Sequence, residues 1–350
     1  MLCSGAMRWL TEDLPGTGGS FRPGPEDFEV EEISLYEPCG EGEHLYLRVE
    51  KAGLTTRELV RRAVDCFGVA EADVGYAGLK DRHARTVQTI SVRGVAEPDA
   101  GRLEGEGIAL RWALRHRNKL RVGHLAGNRF RLVVRDVEPG SEERARAILD
   151  RLGTLGLPNF YGAQRFGREG QNAQAGREVL RRGPRTAGSK WRAKFLVSAL
   201  QAELFNHYLE QRMARGAFAR VLEGDVLTKV SSGGIFNCED PSADQPRLDR
   251  FEVSITGPIF GHEMREARGE PGHWEAEILT AAALAPEDFR RAGKMACGTR
   301  RPLRAPVREA RASTQEGALV LEFGLPAGAY ATVLLDEVMK GAPPPSVGAD

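Results

Sequence analysis

At 350 residues with 41% hydrophobic side chains, the chain is long enough for two domains with true cores, which excludes a wholly disordered protein. Its 49 basic residues balance 49 acidic ones, so net charge gives no overall pull towards nucleic acid or anionic membranes, and any such affinity must be local. The five cysteines, Cys3, Cys39, Cys66, Cys238 and Cys297, are far apart and never form Cys-x-x-Cys, which excludes a disulfide framework or a thiolate zinc site.

The N-terminal MLCSGAMRWLTEDLPG has acidic residues where a signal peptide needs an apolar stretch, and no run of eighteen apolar residues follows, so a cytoplasmic setting with no membrane span is expected. The first 20 residues read as irregular. From 28 to 50, FEVEEISLYEPCGEGEHLYLRVE alternates apolar and polar positions on both sides of a Gly-rich turn, which predicts two antiparallel strands. TTRELVRRAVDCFGV then changes period: Leu59, Val60, Ala63, Val64 and Phe67 share a helical face, and Thr55 with Glu58 has capping-box spacing. TVQTISV predicts a further strand. In GNRFRLVVRDV, Phe130, Leu132 and Val134 fall on one side, with Arg129, Arg131 and Val133 opposite. Ser141 opens a second amphipathic helix, SEERARAILDRLGTLG, with its glutamates at the favourable end.

The first half thus predicts an α+β unit on a mainly antiparallel sheet. From about 186 to 305 the pattern becomes more helical, led by SKWRAKFLVSALQAELFNHYLEQRMARG, and LVLEFGLPAGAYATVLLDEVM then returns to strand, turn and helix. That return predicts an insertion: residues 1–185 and 306–350 form one domain, interrupted by 186–305, with a Pro-rich irregular tail, GAPPPSVGAD.

Several familiar sites fail. GHEMRE offers His262 and Glu263, but Glu266 stands where His-Glu-x-x-His needs its second histidine. GTGGS lacks the strand before it and the Lys-Ser or Lys-Thr after it that a phosphate loop requires. Neither a metal nor a nucleotide cofactor is expected. Between Arg111 and Arg135 there are eight Lys or Arg and no acid, with Trp112 and Phe130 interleaved, and RRGPRTAGSKWRAK at 181–194 is acid-free as well. Such runs either form solvated faces paired with distant acids or bind phosphates. Arg115, Arg117, Lys119 and Arg121 are the expected RNA contacts of the first. PNFYGAQRFG sets Phe160, Tyr161 and Phe166 among Asn159, Gln164 and Arg165, a composition that can hold an unpaired base or simply pack a core. Two further stretches stand out: YAGLKDRHA, which crowds Lys80, Asp81, Arg82 and His83 into one turn, and PEDFEVEE, where Phe28 lies six residues after Arg22.

GLKDRHA before TVQTISV, PNFYGAQRFG, GNRFRLVVRDV, PEDFEVEE with GEGEH, and LPAGAYATVLLDE resemble, in this order and over almost the whole chain, the TruD family of tRNA pseudouridine synthases. The resemblance implies an α+β pseudouridine synthase catalytic domain split by an inserted TRUD domain, with RNA held in the cleft between them. It implies an isomerase that converts a uridine of tRNA, at position 13 in bacterial members, with no cofactor. It assigns Asp81 as the essential aspartate, acting as nucleophile or base. Phe28 matches an aromatic near the target base, Arg22 a basic partner of the aspartate, and Asn159 the opening of a motif bordering the uracil. Lys80, Phe160, Tyr161, Gln164 and Arg165 complete the substrate-binding set. The family often has Tyr before Phe, or two tyrosines, after that asparagine, whereas here Phe160 precedes Tyr161.

A carboxylate, with an ordinary pKa of about 3.9, is ionised at neutral pH and can attack C1′ or C6 or remove the C2′ proton. Lys80, Arg82 or Arg22 is expected to keep it ionised. Two alternatives stand beside this reading: a catalytically inert tRNA-binding or RNA-chaperone protein on the same fold, and a metal-dependent nuclease using Asp81 and Glu31. tRNA is the expected partner. With no sustained heptad seam and no protein partner predicted, a monomer is expected.

Overall fold

The two-residue alternation of 28–50 and 85–134 yields strands, and the change of period after Leu54 yields a helix. The computed structural model describes residues 9–167 and 170–341, so Cys3 and the tail expected to be irregular beyond 341 lie outside it. The chain divides into two units by contact: residues 16–149, 307–331 and the chain from 338 make one, the sheet unit, and the chain up to 15, 150–306 and 332–337 make the other, the helical unit. Segment 150–185 thus packs with the residues that follow it.

In the sheet unit β1 (Phe28–Ser34), β2 (His44–Lys51), β3 (Val74–Tyr76), β4 (Arg85–Arg93), β5 (Ile108–His116) and β6 (Leu125–Val134) join two late strands, β13 (Arg308–Gln315) and β14 (Ala318–Pro326). Their order is β13-β14-β6-β1-β4-β2-β5, with β3 beside β4. Only β1 with β4 is parallel; the remaining pairs are antiparallel. β1 and β2 run in opposite directions as the alternation predicts, but they are not partners. β4 lies between them, because it is buried along almost its whole length, and a strand covered on both faces belongs inside a sheet.

Helix α1 (Thr56–Phe67) closes the core. Thr55 and Glu58 form the expected capping box, and Leu59, Val60 and Ala63 pack on Leu45, Leu47 and Ile90. Burying aliphatic side chains of this size contributes about 1.5–3 kcal/mol each. α2 (Ser141–Leu155) follows, and its Glu142 carboxylate accepts a hydrogen bond from the Thr314 backbone N–H of β13 at 2.7 Å.

The helical unit is organised by α4 (Lys190–Ala214), whose Ser189 cap accepts from the Arg192 N–H at 3.2 Å. α3 (Gln171–Arg182) lies so close to it that a Cβ on Gly176 would stand 2.1 Å from the Leu196 carbonyl oxygen, which explains glycine there. A four-stranded sheet, β11-β10-β8-β9, comprises β8 (Val226–Lys229), β9 (Ile235–Asn237), β10 (Val253–Ile259) and β11 (Thr299–Pro302). β7 (Leu157–Pro158) pairs with β12 (Arg304–Ala305). α5 (Pro241–Asp249), α6 (Gly269–Ala281) and α7 (Pro286–Ala292) complete this part, and α8 (Ala331–Met339) is the returning helix. No helix among the described residues is long and apolar enough to cross a membrane.

On α8 the buried Glu337 carboxylate accepts from the Leu10 N–H at 2.6 Å and from Thr11 Oγ1 at 2.6 Å, tying down the N-terminal segment. Beside it, burial and then the Glu337 charge push the Asp336 carboxyl up to about 7. The folded chain therefore keeps a proton that an unfolded aspartate releases near 3.8, so stability falls as pH rises from 3.8 to about 7 and is level above. Asp336→Asn is expected to stabilise the protein by about 1–2 kcal/mol at pH 8, discounted for partial exposure, and by little at pH 4. Calorimetry at the two pH values checks this; equal shifts in Tm would contradict it.

Candidate active site

Asp81 sits in the β3–β4 connection of the sheet unit, and that turn is fastened at several points. The Lys80 N–H donates to Thr56 Oγ1 at 2.8 Å, which anchors the turn to the first residue of α1. Lys51 Nζ donates to the Asp81 carbonyl oxygen at 3.1 Å and to the Leu54 carbonyl oxygen. The Arg82 guanidinium meets Glu58 of the capping box at 2.5 Å. Within the turn, Asp81 Oδ1 accepts from the His83 N–H at 2.9 Å, an Asx-type contact that orients the carboxylate and leaves Oδ2 without a hydrogen bond among the described residues.

Two of the three cations expected to support Asp81 are engaged otherwise. Lys80 Nζ is buried against Glu32 Oε2 at 2.9 Å, and Arg82 holds Glu58. Arg22 is exposed and forms no ion pair among the described residues. The buried cation at this turn is Lys51, only 1% exposed, which meets the backbone carbonyl of Asp81 rather than its carboxylate. Burial pushes its ammonium down to about 8, against the opposing pull of the Asp81 carboxylate. Lys51 and Glu32 were missed from the sequence, although a signal exists: each ionisable residue continues an apolar stripe, Leu45, Leu47, Val49, Lys51 in β2 and Val30, Glu32 in β1. Phe28, at the start of β1, is half-buried with its ring edge-on to Phe21 at 5.8 Å.

Asn159, Phe160, Tyr161, Gln164 and Arg165 belong to the helical unit. The Asn159 side-chain amide donates to the Pro302 carbonyl oxygen at 2.9 Å, and its Oδ1 accepts from Arg301 Nη2 at 2.7 Å. Asn159 therefore orients Arg301, which sequence reading did not single out. That guanidinium lies over the Tyr161 ring, 4.1 Å from its centroid, and 5.4 Å from that of Phe205. Phe160 is 2% exposed and packs in the core, whereas Tyr161 is half-buried and edge-on to Phe205. Gln164 makes no hydrogen bond among the described residues. Arg165 Nη2 donates to Ser198 Oγ at 2.6 Å.

Space resolves much of the acid-free run at 111–135. In register across the sheet, Arg129 faces Glu31 and Arg131 faces Glu29, with ion pairs at 3.3 and 3.5 Å, and Arg135 meets Asp27 at 2.6 Å. Cross-strand pairing of opposite charges accounts for those positions. Arg117 pairs with Glu41, and Lys119 Nζ donates to the Ala72 carbonyl oxygen. Arg115 and Arg121 form no ion pair among the described residues. Phe130 stacks on Phe323 at 5.4 Å, and Trp112 packs beside Tyr46 and Leu120, so both aromatics serve the core. One group among the described residues could hold a metal ion: His262, Glu263 and Cys297, whose donor atoms lie within 4.8 Å of one another. His262 Nε2 is 3.4 Å from Glu263 Oε1, and Nδ1 is 3.2 Å from the Ala296 carbonyl oxygen.

Fold and site together define a two-unit α+β protein with an aspartate turn buttressed by a buried lysine in one unit and an arginine-aromatic cluster in the other. The family model described as tRNA pseudouridine synthase D (TruD) matches residues 5–196 and 189–338. A tRNA pseudouridine synthase D of Anaeromyxobacter dehalogenans (strain 2CP-1 / ATCC BAA-258) is 48% identical over 341 residues, covering 96% of this chain and 97% of its own. That of Thermus thermophilus (strain ATCC 27634 / DSM 579) is 46% identical over 333 residues, with 95% and 92% covered. A solved structure from Methanosarcina mazei, provisionally described as tRNA pseudouridine synthase D (TruD), superposes with a TM-score of 0.77 at 25% identity, covering 96% of each chain. The chain belongs to the TruD family.

Proposed function

We propose that this protein is a tRNA pseudouridine synthase that isomerises uridine 13 of tRNA, with Asp81 as nucleophile or general base. The observation that carries the reading is the Asp81 turn: its backbone is held from two elements while one carboxylate oxygen stays uncommitted, as a group that must meet a reacting atom requires. The reaction breaks the N1–C1′ bond, turns the uracil, joins C5 to C1′, and exchanges the C5 hydrogen for one on N1. Atoms and electrons balance with no oxidant or cofactor. The sheet unit is assigned as the catalytic domain because it carries Asp81, and the helical unit contributes RNA binding. The protein is taken to act as a cytoplasmic monomer.

Because the C5 hydrogen leaves, tRNA labelled with tritium at uridine C5 tests the reading. Wild-type protein in buffer with no added metal should release about one tritium per tRNA to water; no release with tRNA still bound would favour the inert RNA-binding alternative.

Lys51 adds a pH test. Its ammonium is charged below about 8 and neutral above, so the positive charge beside the Asp81 turn is lost on the alkaline side. Tritium release is expected to fall several-fold as pH passes about 8, and Lys51→Arg, whose guanidinium stays charged, should move that limb upward. An unchanged limb in Lys51→Arg would assign the titration elsewhere.

A further inference from the structure

The exposed start of α4 carries a feature that the proposed chemistry does not use. Trp191 is 73% exposed, an unusual position for the largest apolar side chain. Its indole is nonetheless ordered by a neighbour: it stacks on Phe195, one turn further along, with ring centroids 5.8 Å apart and planes 8° from parallel. Phe195 is in turn fixed by Arg165, whose guanidinium lies 5.4 Å from its centroid and donates to Ser198 Oγ on the same helix. Three planar groups thus form a connected series, two of them on the long helix α4 and the third, Arg165, on the short turn at 163–165.

The charge around this series differs from that of the other basic run. Arg185, Lys190, Arg192 and Lys194 are all exposed, and none forms an ion pair among the described residues. Within 181–194 only Arg182 is ion-paired among the described residues, with Glu178 at 3.0 Å. On the sheet, by contrast, acids stand in register opposite Arg129 and Arg131. A pre-ordered, solvent-facing aromatic flanked in sequence by exposed cations is complementary to an unpaired nucleotide: the base gains a stacking surface, and its flanking phosphates gain the charges.

We infer that Trp191 is a stacking platform for an unpaired base of the bound tRNA, with Lys190 and Arg192 on the neighbouring phosphates. The inference rests on tRNA being the ligand, as proposed above. It is tested by tRNA affinity over a range of salt concentrations for wild type, Trp191→Ala, Trp191→Phe and Lys190→Glu with Arg192→Glu. Loss of a stacking partner should weaken binding about tenfold in Trp191→Ala at every salt concentration, whereas Trp191→Phe stays within about threefold. Since stacking releases no counterions, the salt slope of Trp191→Ala should match wild type, while the double charge reversal flattens it.

Unchanged affinity in Trp191→Ala, equal losses in the Phe and Ala variants, or a flattened slope in Trp191→Ala would each overturn the inference. Tryptophan emission supplies a second readout, the wild-type signal minus that of Trp191→Phe. It should be quenched by oligouridylate and not by polyglutamate; quenching by polyglutamate alone would point to an acidic protein segment and overturn the assignment. Tritium release by wild type reports the catalytic reading separately, so either can fail while the other stands.

Discussion

Asp81→Asn is expected to abolish pseudouridine formation, lowering the rate by about 10³-fold or more, while leaving tRNA affinity within a few-fold. The substitution keeps the shape of the side chain, and an asparagine Oδ1 still accepts from the His83 N–H, so the Asx-type contact survives. The turn does not depend on the carboxylate for its position: Lys51 meets the Asp81 carbonyl oxygen, and Thr56 meets the Lys80 N–H. What disappears is the charge and the nucleophilic or basic oxygen. Rate measured by tritium release at saturating tRNA, alongside affinity by filter binding, separates these effects. Retained turnover would remove Asp81 from the chemistry, and a large loss of affinity would make it a binding residue instead.

The second large effect is on stability. Arg212 is fully buried in the helical unit, and its guanidinium is satisfied on every side. Two bonds of 2.7 Å reach the Asp225 carboxylate, one of 2.8 Å the Ala217 carbonyl oxygen, one of 3.0 Å the Arg220 carbonyl oxygen, and one of 3.2 Å the Tyr208 hydroxyl. Arg212→Met fills a similar volume but leaves Asp225 buried without its counter-charge, an error that costs about 3–5 kcal/mol. Unfolding should shift downward by roughly 10 °C. Adding Asp225→Leu removes the orphaned charge and should recover part of the loss. Recovery stays partial because Asp225 also accepts from the Leu222 N–H at 2.8 Å, and two loop carbonyls lose their donor. A single variant as stable as wild type would show that the pair contributes nothing net.

Local rules carried the reading of the elements. The Thr55–Glu58 box, the apolar face of α1 and the alternation of Phe130 and Leu132 depend on neighbours within a few residues, and each appears where its spacing predicts. Strand order was not legible, because whether β2 or β4 lies beside β1 depends on residues some fifty positions apart. Charge pairing was hidden for the same reason. Arg129 and Arg131 look unopposed in a stretch without acids, yet the sheet register sets Glu31 and Glu29 opposite them.

The candidate site divides along the same line. Asp81 stood out through its motif, but its support did not: Lys80 goes to Glu32, and a lysine thirty residues upstream reaches the Asp81 backbone. Lys51 could have been found as the ionisable residue that ends the buried stripe of Leu45, Leu47 and Val49. Arg301 could not, since its partners Asn159 and Tyr161 lie more than a hundred residues away and its surroundings in sequence are simply basic.

The central claim is most directly tested by mapping pseudouridine at single-nucleotide resolution in unmodified tRNA transcripts incubated with the wild-type protein. Conversion of uridine 13, and no conversion in transcripts where that uridine is replaced by cytidine, is the predicted result. Conversion at another uridine alone would contradict the assigned position, and no conversion at any uridine would contradict the enzyme reading itself.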